Sequence, residues 1–257
     1  MILFLIKKVF FDVWDNLITI VLFNIGFAAI IAGASYIAFL FEPAGAGYFI
    51  TVIISVFIFN LYAGAVSGYV SDLVSYKSPE LKSFPVYIKK IWKSSAVISV
   101  ISIFQVAALF IGFPFYFSVG GFPGLVGLVT LFWISVLWWM TVQYFFPVAF
   151  QLEDSIKKQL KKSFILLLDN TLFSIFLGFY SIFILGASVF TALLIPGITV
   201  VLLAHQAALK LRLYKYDYLE ENSDASRRNI PWNELLFKEK EKIGTRTLKG
   251  MIFPWKE

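Results

Sequence analysis

A chain of 257 residues that is 59% hydrophobic and only 15% charged, with a mean hydropathy of +0.81, is too apolar for a water-soluble domain and belongs in a bilayer. A single histidine and no cysteine exclude disulfide scaffolds, thiolate nucleophiles and cysteine-ligated metals, so neither cofactor nor metal is expected. The net charge of +6 would suit nucleic acid, but its carriers sit at the ends of apolar runs, which makes them topology signals.

In chain order, the start MILFLIKK has no positive charge ahead of its short apolar run and no small-residue cleavage site after it, so it is not read as a secretory signal. Residues 1–15, with Lys7 and Lys8 among aromatics, predict a helix lying in the headgroup layer. About 20 apolar residues cross the hydrocarbon core, and residues 16–213 hold six such runs. The first is Asn16–Phe41, closed by Glu42-Pro43, and the second is Gly47–Val74. Within the second, Gly64 and Gly68 form a GxxxG, a device for close helix packing. A lysine-rich connection, Ser75–Ser95, precedes the third run, Ala96–Val119. The fourth, Leu125–Leu152, carries Trp133, Trp138 and Trp139 too deep for all to belong to an interface belt, so some must pack inside. Phe164–Leu209 is too long for one crossing and divides near Gly186–Pro196 into a fifth and a sixth span, the latter reaching Leu213.

All 22 lysines and arginines fall ahead of span one, between two and three, between four and five, and from Lys210 onward. The opposite connections carry only Glu42, so the positive-inside rule puts both termini in the cytoplasm. The fold class expected is all-α, a membrane bundle of six spans with a cytoplasmic tail. Lys7–Asn16 and Lys161–Asn170 both read Lys-Lys-x-Phe-x-x-x-x-Asp-Asn ahead of a span. If this repeat records duplication, the bundle is three parallel helical hairpins.

Ionisable groups within spans are costly and are the default functional candidates. Here they are Asp15, Asp72, Asp169 and His205. The competing reading makes Asp15 and Asp169 caps for the spanning helices that follow them and gives His205 a plain hydrogen-bonding neighbour, Asp169 or Asp72. No H-E-x-x-H, G-x-S-x-G or phosphate loop occurs, and an aspartyl dyad would need two of these acids to share a proton, so no enzyme is expected.

The tail, residues 214–257, holds nine basic and eight acidic residues, a mixture that suits protein contact better than a polybasic lipid clamp. Pro231 near a helix start and Gly244 as a stop predict one amphipathic helix with Trp232, Leu235, Leu236 and Ile243 on one face, of which Trp232, Leu235 and Leu236 are expected to contact a partner or the membrane. Phe253 and Trp255 close the chain as an apolar patch for a partner protein or the membrane interface.

The segments from Gly64 to Tyr69 and from Phe84 to Ser95, Tyr144–Phe150 with the lysine bend after it, and Leu194-Ile195-Pro196-Gly197 resemble the YesL-like bacterial integral membrane proteins, a domain family of unknown function. The resemblance covers about residues 16–213. It implies the bacterial cytoplasmic membrane and an accessory role near carbohydrate ABC-type transporters, and it brings no catalytic residues. The function expected is a non-enzymatic accessory, scaffold or regulatory subunit with a cytoplasmic protein partner, as monomer or oligomer. The alternative is a small-solute transporter or channel with a site among Asp15, Asp72, Asp169 and His205.

Overall fold

A computed structural model describes residues 1–43, 45–222, 226, 229–244 and 246. The helices are α1 (Ile2–Asp15), α2 (Leu17–Phe39), α3 (Ala46–Val74), α4 (Phe84–Val119), α5 (Gly121–Gln151), α6 (Ile156–Asp169), α7 (Thr171–Val189), α8 (Gly197–Glu221), α9 (Trp232–Leu235) and α10 (Phe237–Ile243), with one 3-10 turn at Leu81–Ser83. No strand occurs among the described residues. Five helices, α2, α3, α4 with the turn before it, α5 and α7, are long and apolar enough to cross a membrane.

The sixth expected span, α8, does not join them, for a physical reason. Every residue from Thr199 to Leu209 is buried, and α8 contacts α1, α2, α3, α5 and α7. A helix enclosed on all sides has no lipid-facing stripe to fill with large apolar residues. It can instead carry His205, Gln206, Lys210 and Arg212, which pull its hydropathy down.

The two copies of the Lys-Lys-x-Phe-x-x-x-x-Asp-Asn repeat build the same elbow. A 14-residue helix ends at Asp15 or Asp169, Asn16 (φ −122°, ψ 26°) or Asn170 (φ −128°, ψ 39°) breaks it, and a long apolar helix starts one residue later. The aspartates are not the caps, contrary to expectation. Asn16 donates its amide back to Asp12 O at 2.9 Å and Asn170 to Leu166 O at 3.2 Å, satisfying carbonyls at the end of the helix left behind. Neither following helix has a side-chain cap at its start.

Gly64 and Gly68 do serve packing. A Cβ on Gly64 would lie 2.8 Å from Ser95 Oγ and 2.9 Å from Ile91, and one on Gly68 would lie 2.8 Å from Tyr87, all on α4. Of the three tryptophans, only Trp138 packs against the core; Trp133 and Trp139 stay outside.

The α7–α8 hairpin is displaced along the bundle. Gln206 meets α3 at Ser67. From that level α3 runs back to Ala46, ~31 Å at the helical rise, whereas α8 runs back only to Gly197, ~13 Å. The hairpin tip therefore ends beside Asn24, from which α2 continues to Phe39, ~22 Å further. Irregular backbone at membrane depth is tolerated only when its polar groups are satisfied by protein, and several groups at this tip are so satisfied. Asn24 Nδ2 donates to Leu194 O (2.9 Å) and Pro196 O (2.8 Å), Asn24 Oδ1 accepts from Thr199 N (2.9 Å), and Ser188 Oγ accepts from Gly197 N (2.8 Å).

Candidate functional site

The four expected site residues are not brought together. Asp15 pairs with Arg246 at 2.9 and 3.0 Å. Asp72 accepts from Lys77 (2.8 Å) and from the Tyr87 hydroxyl (2.5 Å). Asp169 accepts from Lys215 (3.2 Å) and Tyr216 (2.6 Å). His205 is buried, and its Nε2 lies 2.9 Å from Ser181 Oγ, so its neighbour is a serine and neither expected aspartate. Each acid is answered locally by a cation or hydroxyl, which leaves no carboxylate pair to share a proton.

What the fold does assemble is an ionic cluster at the lysine-rich end, where α1, the end of α3, α8 and α10 meet. At its centre is Glu239, 3% exposed. It accepts from the hydroxyls of Tyr76 (2.6 Å) and Tyr214 (2.7 Å) and lies 2.8 Å from Lys210 Nζ and 3.4 Å from Lys8 Nζ. Lys8 is fully buried and sits 3.1 Å from Asp12. Its ammonium is aligned for a hydrogen bond with neither acid and instead faces the Tyr76 ring, 3.9 Å from its centroid. Lys210 and Lys242 approach the same ring at 4.8 and 4.5 Å. A ring with three ammonium groups around its π-face is a strong electrostatic anchor. Tyr76 itself ends α3 at φ 60°, the left-handed conformation of a helix stop, with Lys77 N donating back to Asp72 O at 2.9 Å.

This cluster fastens the tail. The expected single helix splits at Leu236 into α9 and α10, and its apolar face turns inward. Leu236 and Ile243 are buried, and Trp232 packs against the core, while Leu235 is half-buried. The stripe read as a partner or membrane contact is thus filled by the protein's own bundle. Two further ties run from α1, Lys7 to Gly244 O and Asp15 to Arg246, whose guanidinium also covers Phe11. Phe253 and Trp255 lie outside the described residues.

The electrostatics follow from burial. For Asp12, burial raises the pKa and outweighs the Lys8 charge, giving about 6 against an ordinary 3.8. For Glu239, burial also pushes upward, but Lys210, the two tyrosine hydroxyls and Lys8 overcome it and hold the group at about 2. Lys210 is lowered by burial against the pull of Glu239, and Tyr76 is raised by burial and by donating to Glu239.

The two acids have opposite linkage. Asp12, raised, stabilises the fold as pH drops through 6 toward 4; Glu239, lowered, withdraws stability as pH drops from its ordinary 4.5 toward 2. The thermal midpoint in detergent is expected to peak near pH ~5 and to fall by pH ~7.5, the Asp12 contribution being at most ~3 kcal/mol. Asp12→Asn should abolish the rise between pH ~7.5 and ~5; a profile unchanged by that substitution would remove Asp12 as its source.

One further buried polar group is unexplained by these contacts. Gln143 on α5 is 2% exposed and neither end of its amide has a hydrogen-bond partner. Lys8 with Asp12, four apart in one helix, was the only part of the ionic cluster with a local signal in the sequence; Tyr76, Lys210 and Glu239 come from three distant segments. No group of three or more metal-ligating side chains occurs among the described residues. No protein-family model, curated protein or solved structure matches this chain.

Proposed function

We propose that the protein is a non-enzymatic accessory or scaffold subunit of a bacterial cytoplasmic membrane, acting through a partner protein at its cytoplasmic, lysine-rich end. The observation that carries this reading is the division of labour among its charges. The acids nearest the membrane are paired separately, each with its own cation, whereas the buried ion pairs join the tail to the bundle and give that end a fixed surface. The resemblance to the YesL-like family adds a carbohydrate ABC-type transporter as the kind of assembly served. The purified chain in proteoliposomes is expected to pass sugars and ions no faster than empty vesicles, and mild solubilisation is expected to recover it with a transporter subunit in fixed ratio. Flux above the empty vesicles together with recovery of the chain alone would overturn the proposal.

The proposed topology has four complete crossings, α2 to α5, and a hairpin, α7–α8, that enters from the cytoplasmic side and turns back at the depth of Asn24. Both termini then share one side, as six full spans would also require. The Cys-free chain permits a direct check. Glu42→Cys should react with a membrane-impermeant maleimide added outside, and Phe190→Cys, at the 93% exposed apolar tip, should not. Equal labelling from outside would favour six full spans.

The transporter reading has one observation in its favour, the unpaired amide of Gln143 in the bundle interior. It requires flux in proteoliposomes that Gln143→Leu abolishes.

A further inference from the structure

Arg212 is a partly buried cation of the lysine-rich end. Lys8, Lys77, Lys210, Lys215 and Arg246 each have a carboxylate within ion-pair distance. Arg212 has none among the described residues, and its Nε is buried without a hydrogen-bond partner. The acid whose charge bears on it, Asp169, is already engaged by Lys215 and Tyr216. A buried guanidinium nitrogen without a hydrogen-bond partner is costly. The fold nonetheless fixes it in one orientation, its carbon 4.0 Å from the centroid of the Phe173 ring and 5.6 Å from that of Trp232.

Arg212 also forms the base of a cleft of about 430 Å³ whose other walls are Met1, Ile2, Leu3 and Trp232. The rim is apolar. Leu3 is 82% exposed, and with Phe10 and Trp14, also exposed, it marks one outward face of α1. That face suits a helix laid at the membrane surface with its apolar side toward acyl chains. The cleft thus combines a planar, pre-oriented guanidinium fork, the group that matches phosphate oxygens best, with an apolar mouth at the lipid boundary.

We infer that the Arg212 cleft binds a phosphate group, with Arg212 as its counter-ion and Trp232 as a wall. The same chemistry is available from a phospholipid headgroup or from free phosphate, and the apolar rim favours the lipid. The site is independent of the accessory role proposed above.

The test uses the full chain purified in detergent, with retained lipid read by native mass spectrometry and Trp232 fluorescence as a second readout. The probes are dioleoyl phosphatidylglycerol and inorganic phosphate. The wild-type chain is expected to retain one phosphatidylglycerol, and Arg212→Gln to weaken that retention ~10-fold or more, the loss expected for one charge-assisted contact. Lys93→Gln, the same charge change away from the cleft, should leave it intact. Because Arg212→Gln removes a packed side chain, Leu3→Glu provides a second variant that places a carboxylate at the mouth and leaves Arg212 in place. It should lower retention comparably without changing the melting temperature. Displacement of the lipid by inorganic phosphate would assign the site to the soluble ion, and resistance to it would assign the site to the headgroup; both keep the phosphate site. Retention by Leu3→Glu and by a folded Arg212→Gln at the wild-type level, or no binding of either probe by the wild type, overturns the inference.

Discussion

Replacing Glu239 with alanine is expected to free α10 from the bundle. The substitution leaves Lys8 and Lys210 facing each other across a buried space with only Asp12 to offset them, and the hydroxyls of Tyr76 and Tyr214 lose their acceptor. Breaking a buried ion pair by removing one partner costs ~3–5 kcal/mol, more than the pair itself contributes, because the remaining charge stays desolvated. The apolar contacts of Leu236 and Ile243 oppose release, but two side chains of that size contribute only ~3–6 kcal/mol at full burial, so the tail has little reserve. Trypsin cleavage at Lys238, Lys240 and Lys242 reports the population of the open tail when opening is fast relative to cleavage. A loss of ~3 kcal/mol raises that population more than ~100-fold. Glu241→Ala, two residues away and exposed, is the matched control and should cut at the wild-type rate. If the two variants cut alike, the ionic cluster is not what fastens the tail.

The same cluster marks where reading the sequence alone stops. Apolar runs bounded by lysine located the long helices, because each run reports a lipid-facing surface and needs no knowledge of its neighbours, but they missed the lysine-bearing ends: α4 begins at Phe84 and not Ala96, and α8 runs on to Glu221. The repeat located both elbows for a similar reason: a helix break of this kind is a local event. Gly64 and Gly68 were legible as packing glycines because small residues four apart have few other uses in a span. The failures share one cause. Asp15, Asp169 and His205 were given partners close in sequence or in presumed depth, whereas their partners Arg246, Lys215, Tyr216 and Ser181 were set by how α7, α8 and the tail pack. The apolar face of the tail was expected to meet a partner or the membrane, and sequence could not say that the surface Trp232 and Leu236 meet is the protein's own. Hydropathy does not place α8 among the five apolar helices, since it measures what lipid would touch and residues 199–209 of α8 touch protein everywhere.

Asn24 was visible in the sequence only as one of several scattered polar residues in the spans, and the structure gives it the second large effect. It is fully buried. Its amide answers two carbonyls and one N–H at the start of α8, groups that the irregular Thr191–Pro196 backbone cannot pair for itself. Gly197, at φ 74°, lies so close that a Cβ there would collide with the Asn24 amide. Asn24→Leu keeps the volume and removes all three hydrogen bonds. At ~1–3 kcal/mol for each buried group left unpaired, offset by the added apolar side chain and local relaxation, the net loss is expected to be ~3–5 kcal/mol. In a chain of this size that lowers the thermal midpoint by ~10 °C or more. Asn60→Leu is the informative comparison. Asn60 is also an asparagine within a span, but its amide donates only to Val56 O of its own helix, 3.0 Å away and already served by the helix ladder, so its loss should cost under ~1 kcal/mol. A hairpin tip resting in water would recover its lost bonds from solvent and bring the two variants together. A wide gap between them shows that Asn24, and not solvent, pairs these groups, as a hairpin ending inside the membrane needs.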